Sequence, residues 1–239
     1  GTVENLHSHD DIRSFVADKR ADKRSRKIEE LLSHPMHAAL WATKFSDITG
    51  NNTDSLENPQ QTKSRRSQMW HDWLRKRFAE NVPYDQIVHD ILCATSRDGK
   101  TGDEYIEYVK VMDDKLKDGF VPEYAQKKTL DQFWRRQGQV GIEIWGEKTA
   151  AAFLGVRLEC AQCHKHPFDR WTQVDYRAWA NVFSQVVTGI SPDIKKAADA
   201  LNAERKGDKP NNNNVILVRE VYLGRPARNL RCGLTGTLP

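Results

Sequence analysis

The chain has 239 residues, enough to bury a sizeable core as one large domain or two small ones. Hydrophobic residues make up 38% of it and charged residues 29%, which is typical of a helix-rich protein with a well-hydrated surface. The formal net charge is +4, but basic residues alternate with acidic ones except at 18–27 and 63–66, so we expect no nucleic-acid binding. No apolar run approaches the ~20 residues that a membrane-spanning helix needs, so we expect no membrane span.

Apolar spacing predicts helices along most of the chain. Ser8 with Asp11 forms a capping box at the start of the first helix. After the cysteine segment at 160–164, Thr172 with Asp175 forms a second capping box, and a last helix runs from Ser191. The other predicted helices lie around 28–32, 40–48, 69–78, 83–92, 103–117 and 143–157.

The sequence changes character at KPNNNN (209–214), which is typical of a flexible linker. VILVREVYL (215–223) follows and is the one convincing strand. We therefore predict a mainly α fold: a multi-helix single domain at 1–207, then a linker and the start of a β-containing segment at 208–239. The chain begins on a turn-like segment without a signal peptide and ends on LTGTLP, so we expect a fragment of a larger protein.

The densest chemistry lies in CAQCHKHPFDRW (160–171). Cys160 and Cys163 with His164 form a Cys-x-x-Cys-His motif, the attachment signature of c-type haem. The two-residue gap matches the separation of the two haem vinyl groups, and the adjoining histidine lies under the iron as its proximal ligand. The motif predicts one covalent haem c, with His164 as the metal ligand.

Other readings of the two cysteines stay open at this stage. A zinc site needs two more ligands, and no second CxxC or HxxxH lies downstream. A redox-active CxxC prefers a strand–helix context, and a Cys160–Cys163 disulfide is a third reading. Cys93 lies in an apolar helical pattern and is predicted to be buried, and no partner is assigned to Cys232.

Two further polar residues, His166 and Asp169, belong to the predicted cofactor site. His166 is two residues from His164 and cannot easily reach the opposite face of the same haem. We expect it to bind a propionate or Asp169, or to hold a separate metal. The sixth iron ligand is open among residues elsewhere in the chain: Met36, His37, Met69, His71, His89 and Met112.

Apolar and basic side chains surround the motif in sequence. A haem needs a mostly apolar pocket and cations for its propionates, and Arg157, Lys165 and Arg170 are nearby cations. The apolar candidates, which are equally typical of ordinary core, are Phe153, Leu154, Val156, Leu158, Phe168, Trp171, Tyr176 and Trp179.

The stretch 146–183 resembles a planctomycete cytochrome-like domain of unknown function. Its CxxCHxHxFD motif matches Cys160, Cys163, His164, His166, Phe168 and Asp169, and the likeness extends over roughly 8–188 through LLSHP, LWATKFSD and DWLRKRFAENVPYDQIV. The resemblance implies haem binding and a large, exported, multidomain parent protein, hence a periplasmic or other extracytoplasmic location. The chain departs from the family at Lys44, where many members have a histidine.

Three functions follow as hypotheses. The leading one is a monohaem c-type cytochrome domain that passes electrons to a redox partner protein or to further domains of the same chain. The first alternative is a haem enzyme or a small-molecule-responsive site with an open iron position, in which His166 and Asp169 move protons. The second alternative is a structural or glycan-binding module with a Cys160–Cys163 disulfide. No catalytic residue is assigned, and whether the protein is an enzyme stays open.

Overall fold

The computed structural model describes residues 8–57, 59–138, 140–209 and 214–224. Over these residues the protein is mainly helical with one short antiparallel sheet, so the predicted fold class is confirmed at this level. The α-helices found there are α1 (His9–Ala17), α2 (Lys23–Leu32), α3 (Pro35–Ile48), α4 (Gln60–Ala79), α5 (Tyr84–Leu92), α6 (Gly102–Asp118), α7 (Ile142–Thr149), α8 (Gln173–Asn181) and α9 (Lys195–Lys206). The strands are β1 (Val186–Gly189) and β2 (Glu220–Leu223). None of the helices in the described ranges is long and apolar enough to cross a membrane.

Two helices begin at the capping boxes that the sequence predicts. At α1, the Ser8 hydroxyl accepts from the backbone N of Asp11, and the Asp11 carboxylate accepts from the backbone N of Ser8. Thr172 and Asp175 make the same reciprocal pair at α8. Each pair satisfies backbone N–H groups that helix geometry leaves without partners. The second pair fixes the start of α8 shortly after the cysteine segment.

Aromatic side chains build the centre of the main core. The ring centroids of Trp134 and Trp145 are 4.9 Å apart, and those of Phe133 and Phe153 are 5.4 Å apart. Phe183, just after α8, packs on Trp134 at 6.1 Å. Burial of such large side chains stabilises a fold by about 1.5–3 kcal/mol each. This core lies directly beneath the segment that leads into the cysteine motif, because Phe153 is part of both.

The strand prediction is correct for only half of its range. Residues 220–223 form β2, but the chain before them is not a strand. There the backbone N–H of Val218 donates to Asn202 Oδ1 of α9 at 2.7 Å, and Arg205 Nη1 donates to the Ile216 carbonyl at 2.9 Å. Side chains of α9 therefore form hydrogen bonds with backbone groups that a neighbouring β-strand would otherwise bind.

The partner of β2 is a strand that the sequence analysis did not predict. β1 pairs antiparallel with β2, with Val187 opposite Tyr222. Ile216 and Val221 join the main core, and Val218 is buried against Tyr105 and Ile106 of α6. The described part of 208–239 thus packs on the helices that precede it.

Candidate functional site

The cysteine segment is a short irregular connection between α7 and α8. The helix α7 widens into a π-helical turn, Ala150–Leu154, and ends at Gly155, whose positive φ of 66° is a conformation that glycine adopts without strain. A 3₁₀ turn, Glu159–Gln162, then carries Cys160. Leu158 and Ala161 are buried against Ala150 and Tyr176, so one side of this turn is anchored in the core.

The motif residues lie on the other side of the turn. Cys160, Cys163 and His164 are all exposed, and both cysteines are free thiols. The turn is held by a 3.4 Å hydrogen bond from the backbone N of His164 to the Cys160 carbonyl. Gln173 Nε2 of α8 donates to the Cys163 carbonyl at 2.7 Å and ties the motif to that helix. The structure thus brings the two thiols and the histidine together on one surface turn.

The ring of His164 has a defined tautomer. Its Nδ1 is 2.6 Å from the backbone carbonyl of Lys165. A carbonyl oxygen only accepts hydrogen bonds, so Nδ1 must carry the proton. Nε2 is then the nitrogen with a free lone pair, which is the arrangement found in metal-ligating histidines whose other nitrogen donates to a carbonyl.

His166 and Asp169 shape the loop that follows the motif. The backbone N of His166 donates to the Trp171 carbonyl at 2.8 Å, and its Nδ1 accepts from the backbone N of Phe168 at 3.3 Å. In its neutral form His166 therefore carries its proton on Nε2, the opposite of His164. Asp169 accepts from the backbone N of Arg170 at 2.6 Å and from Trp171 Nε1 at 3.0 Å. No hydrogen bond joins His166 to Asp169.

The helices α7 and α8 form the platform under this loop. Trp179 Nε1 donates to the Gly146 carbonyl at 2.8 Å, and the Tyr176 hydroxyl donates to Glu147 Oε1 at 2.6 Å. Burial, reinforced by this hydrogen bond to a carboxylate, raises the pKa of Tyr176. Both bonds cross from one helix to the other, so they hold the cysteine turn at a fixed place between them.

The apolar residues near the motif differ in burial, and Val156, Trp171 and Trp179 are partly buried against the small core cluster that contains Leu158 and Tyr176. Phe153, Leu158 and Tyr176 are buried in the protein, which makes them core. By contrast, Leu154 is 61% exposed and Phe168 is 93% exposed, so these two face outward beside the motif. The predicted cations are exposed as well: Arg157, Lys165 and Arg170.

The structure separates the six candidates for a sixth iron ligand. Met69 is buried in the main core and Met112 packs against it, so both are core side chains. Met36 is exposed. The three histidines have partners on their own or neighbouring helices: His37 Nε2 accepts from Trp41 Nε1, His71 Nε2 is 3.3 Å from Thr43 Oγ1, and His89 Nδ1 is 3.3 Å from Asp90 Oδ1.

The other cysteines give one correction. Cys93 is exposed, not buried as predicted, because α5 ends at Leu92 and Cys93 caps it on the outer side. Cys232 lies outside the described residues. Within the ranges that the structure covers, no group of three or more histidine, cysteine, aspartate or glutamate side chains is arranged to hold a metal ion.

A buried charged cluster lies elsewhere in the fold and was not predicted. Arg135 is enclosed and donates to Asp131 Oδ2 at 2.9 Å and Glu57 Oε2 at 3.1 Å. It also donates to the Tyr105 hydroxyl at 3.2 Å and the Arg219 carbonyl at 3.0 Å. Burial raises the pKa of Asp131, but the charge of Arg135 outweighs it and holds that pKa well below its usual range. Asp131 and Arg135 are four residues apart, but Glu57, Tyr105 and Arg219 are far from them along the chain, so no sequence signal indicates the cluster as a whole.

Comparison with known proteins places the chain in a family. Residues 5–188 match PSCyt2, a protein of unknown function (DUF1549). The chain belongs to this family. The PSCyt2 match spans α1 to α8 and includes Cys160, Cys163 and His164. No curated protein and no solved structure matches the chain.

Proposed function

We propose that this chain binds one haem c through Cys160 and Cys163 and serves as an extracytoplasmic electron-transfer domain. The observation that carries the proposal is the geometry of the motif. Two free thiols and a histidine share one exposed turn, and the Nδ1 proton of that histidine is already engaged by the Lys165 carbonyl. Zinc is less well supported, because no group of three or more histidine, cysteine, aspartate or glutamate side chains in the described residues is arranged to hold a metal ion.

The residues present fit the group that the motif implies. Each Sγ would hold one vinyl-derived carbon, and His164 would ligate the iron through Nε2, the nitrogen that its tautomer leaves free. Bound haem c supplies a one-electron couple at its iron. The chain itself supplies a turn anchored by Leu158 and Ala161, so its donor atoms lie on a rigid base.

The outward side chains near the motif give the proposal a second support. Leu154 and Phe168 offer apolar surface that nothing in the described residues covers, and Arg157, Lys165 and Arg170 are exposed cations able to bind propionates. His166 presents a donor Nε2–H, which suits a hydrogen bond to a carboxylate better than ligation of the iron. Because the motif is exposed, a partner protein or a further domain of the same chain has direct access to it.

The test is expression with a cytochrome c maturation system, followed by intact mass and a pyridine haemochrome spectrum. We expect a mass increase of one haem in the wild-type protein and none in Cys160→Ala/Cys163→Ala. Cys93→Ala is the matched control, since it removes another exposed free thiol outside the motif, and it should keep the haem. An unmodified wild-type protein would refute the proposal.

The same preparation separates electron transfer from the haem-enzyme alternative. The electron-transfer hypothesis predicts a low-spin, six-coordinate spectrum that carbon monoxide does not alter. A high-spin spectrum that shifts on addition of carbon monoxide would identify an open iron position instead. A mass two protons lower than that of the unmodified chain, without haem, would point to a Cys160–Cys163 disulfide.

A further inference from the structure

A cavity of about 60 Å³ lies among α4, α6 and the segment 216–219, and none of its lining residues belongs to the cysteine segment. One buried water needs roughly 10–15 Å³ of such space, so the cavity has room for about four waters or one tetrahedral oxyanion. Its charged lining residues are Arg66, Asp113, Lys127, Asp131, Arg135 and Arg219.

The carboxylates of the cavity are already engaged. Asp131 accepts from Arg135, from Ser96 Oγ at 2.7 Å and from the Tyr124 hydroxyl at 2.8 Å. Asp113 accepts from Arg205 Nη1 at 2.8 Å. Both oxygens of Asp131 and one oxygen of Asp113 are therefore engaged by protein donors, which leaves little capacity to bind a cation in the cavity.

Three donors of the cavity, Arg66, Lys127 and Tyr108, are not engaged in this way. Arg66 is only 6% exposed, yet its guanidinium makes no hydrogen bond or ion pair with any described residue, and its Nε is buried without a partner. The Lys127 ammonium contacts the faces of Tyr108 and Tyr124 but, over the same residues, has no ion pair. The Tyr108 hydroxyl has no hydrogen bond within the described ranges, and burial raises its pKa to about 12, which keeps it a donor.

The count of charges around the cavity also favours an anion as its ligand. Four cations and two carboxylates line the cavity. Two residues outside the lining add one charge of each sign. Glu57 pairs with Arg135 and Arg219, and Arg205 pairs with Asp113. The surplus of two positive charges belongs to Arg66 and Lys127, which form no ion pair with any described residue, although Arg66 lowers the pKa of Asp113 and Lys127 that of Asp131 through their charges. A buried arginine without a partner is costly, and a bound anion removes that cost.

We propose that this cavity is a binding site for a small oxyanion, either inorganic phosphate or the carboxylate of a small molecule. Arg66 and Lys127 supply the charge, and the Tyr108 hydroxyl donates a neutral hydrogen bond. Gln132 Oε1, buried in the cavity wall with no hydrogen-bond partner among the described residues, accepts from a protonated or hydroxylated ligand. This site is independent of the cysteine motif and its haem.

The test is isothermal titration calorimetry of the full chain with inorganic phosphate and, separately, with acetate, at constant ionic strength. We expect saturable one-to-one binding of at least one of them, and the stronger one identifies the ligand class. Arg66→Gln should weaken that binding at least about tenfold, the loss of a charge-assisted hydrogen bond. Tyr108→Phe, which removes only a hydroxyl and keeps the ring, should weaken it by about threefold or more.

Arg75→Gln is the matched control, because Arg75 lies on the same helix with an exposed side chain and makes the same charge change. It should bind as the wild type does. Absence of saturable binding of both anions would overturn the proposal and leave a cavity of ordered water only. An equal loss of affinity in Arg75→Gln would also overturn it, since the effect would then be general charge. If Arg66→Gln does not fold, unchanged binding in Tyr108→Phe overturns the proposal.

Discussion

Individual side chains decide how the loop after the motif is built. His166 and Asp169 were predicted as polar groups of the cofactor site, and the structure shows that both first make local backbone contacts. Asp169 accepts from the Trp171 indole, and the Trp171 carbonyl accepts from the His166 amide. The loop is therefore a closed set of short-range hydrogen bonds, and the position of His166 depends on Asp169 through Trp171.

Asp169→Asn tests this dependence. The substitution keeps an oxygen for the Arg170 amide but replaces the acceptor of the Trp171 indole with an NH₂ group. We expect several-fold faster exchange of the His166 amide, measured by NMR, because its acceptor carbonyl becomes less well fixed. Asp199→Asn, at an exposed ion pair of α9, makes the same chemical change elsewhere and should leave that rate unaltered. Equal rates in the wild type and Asp169→Asn would contradict the role assigned to Asp169.

At the level of elements, the contact between α7 and α8 fixes the cysteine turn. A Cβ atom built on Gly146 lies 3.1 Å from Trp179 Cδ1 and 3.3 Å from the backbone Cα of Ala180. Such approaches are closer than ordinary packing, and the second neighbour is backbone that cannot rotate away. The absence of a side chain at Gly146 is therefore what lets the two helices come together under the motif.

Gly146→Ala should destabilise the fold by about 1–3 kcal/mol, the usual cost of an overpacked contact. Gly141→Ala is the matched control in the same region: among the described residues its Cβ meets only Glu143 Oε2 at 3.5 Å, and its φ of −67° suits alanine. That variant should be neutral within about 1 kcal/mol or slightly stabilised. Urea unfolding measures both, and equal stabilities of the two variants would show that α7 and α8 are not in tight contact.

The helices could be predicted because the residues that specify each helix lie within it or next to it in the sequence. The apolar stripe of α4 and the capping pair Thr172–Asp175 lie within a few residues of the structure they specify. β1 was missed because Val186–Gly189 is four residues long and directly follows a helical stripe. Its one signal was the β-branched run Val186-Val187-Thr188. The chain at 216–219 was overpredicted as strand because its hydrogen-bond partners on α9 are side chains, which periodicity does not describe.

At the scale of the whole molecule, the two candidate sites also differ in whether their residues are close together or far apart in the sequence. The cysteine motif is contiguous, so all of its residues could be named from the sequence, and their role as a haem site stays a prediction. The oxyanion cavity draws on α4, α6 and residues near 131 and 219, and Arg135 bonds partners 78 and 84 residues away. No spacing rule links such positions. Arg66 is marked by its burial and by its lack of a hydrogen-bond partner among the described residues, whereas Arg135 is marked by its many partners around a buried carboxylate. Only a structure displays such features.

The buried Arg135 makes the stability of the whole fold depend on charge. Removing it leaves Asp131 and Glu57 enclosed without their principal cation. In the wild type the pKa of Asp131 is held far below its ordinary value of 3.8, so its favourable contribution is complete at any pH well above 3.8. That contribution is constant between pH 5 and pH 8, and it is lost only as the pH falls below the ordinary value.

Arg135→Met should therefore be destabilised by about 3–5 kcal/mol at pH 8, the cost of leaving a buried carboxylate unpaired. Without Arg135, burial is the largest influence on the pKa of Asp131, while the charge of Lys127 and the hydrogen bond from Ser96 still oppose it. We expect burial to prevail and to raise that pKa above 3.8, so that the folded variant takes up a proton as the pH falls. Because the pKa of Asp131 in the folded variant is then higher than in the unfolded chain, protonation at low pH restores part of the lost stability. The loss in the free energy of unfolding should therefore be smaller at pH 5 than at pH 8. Urea unfolding at both pH values measures it, with Arg177→Met as the control. Arg177 pairs with Glu143 in a partly exposed bridge, so its loss should cost only about 0–1 kcal/mol. A deficit in Arg135→Met that is the same at both pH values would mean that Asp131 keeps its charge without Arg135, and that another cation supports it.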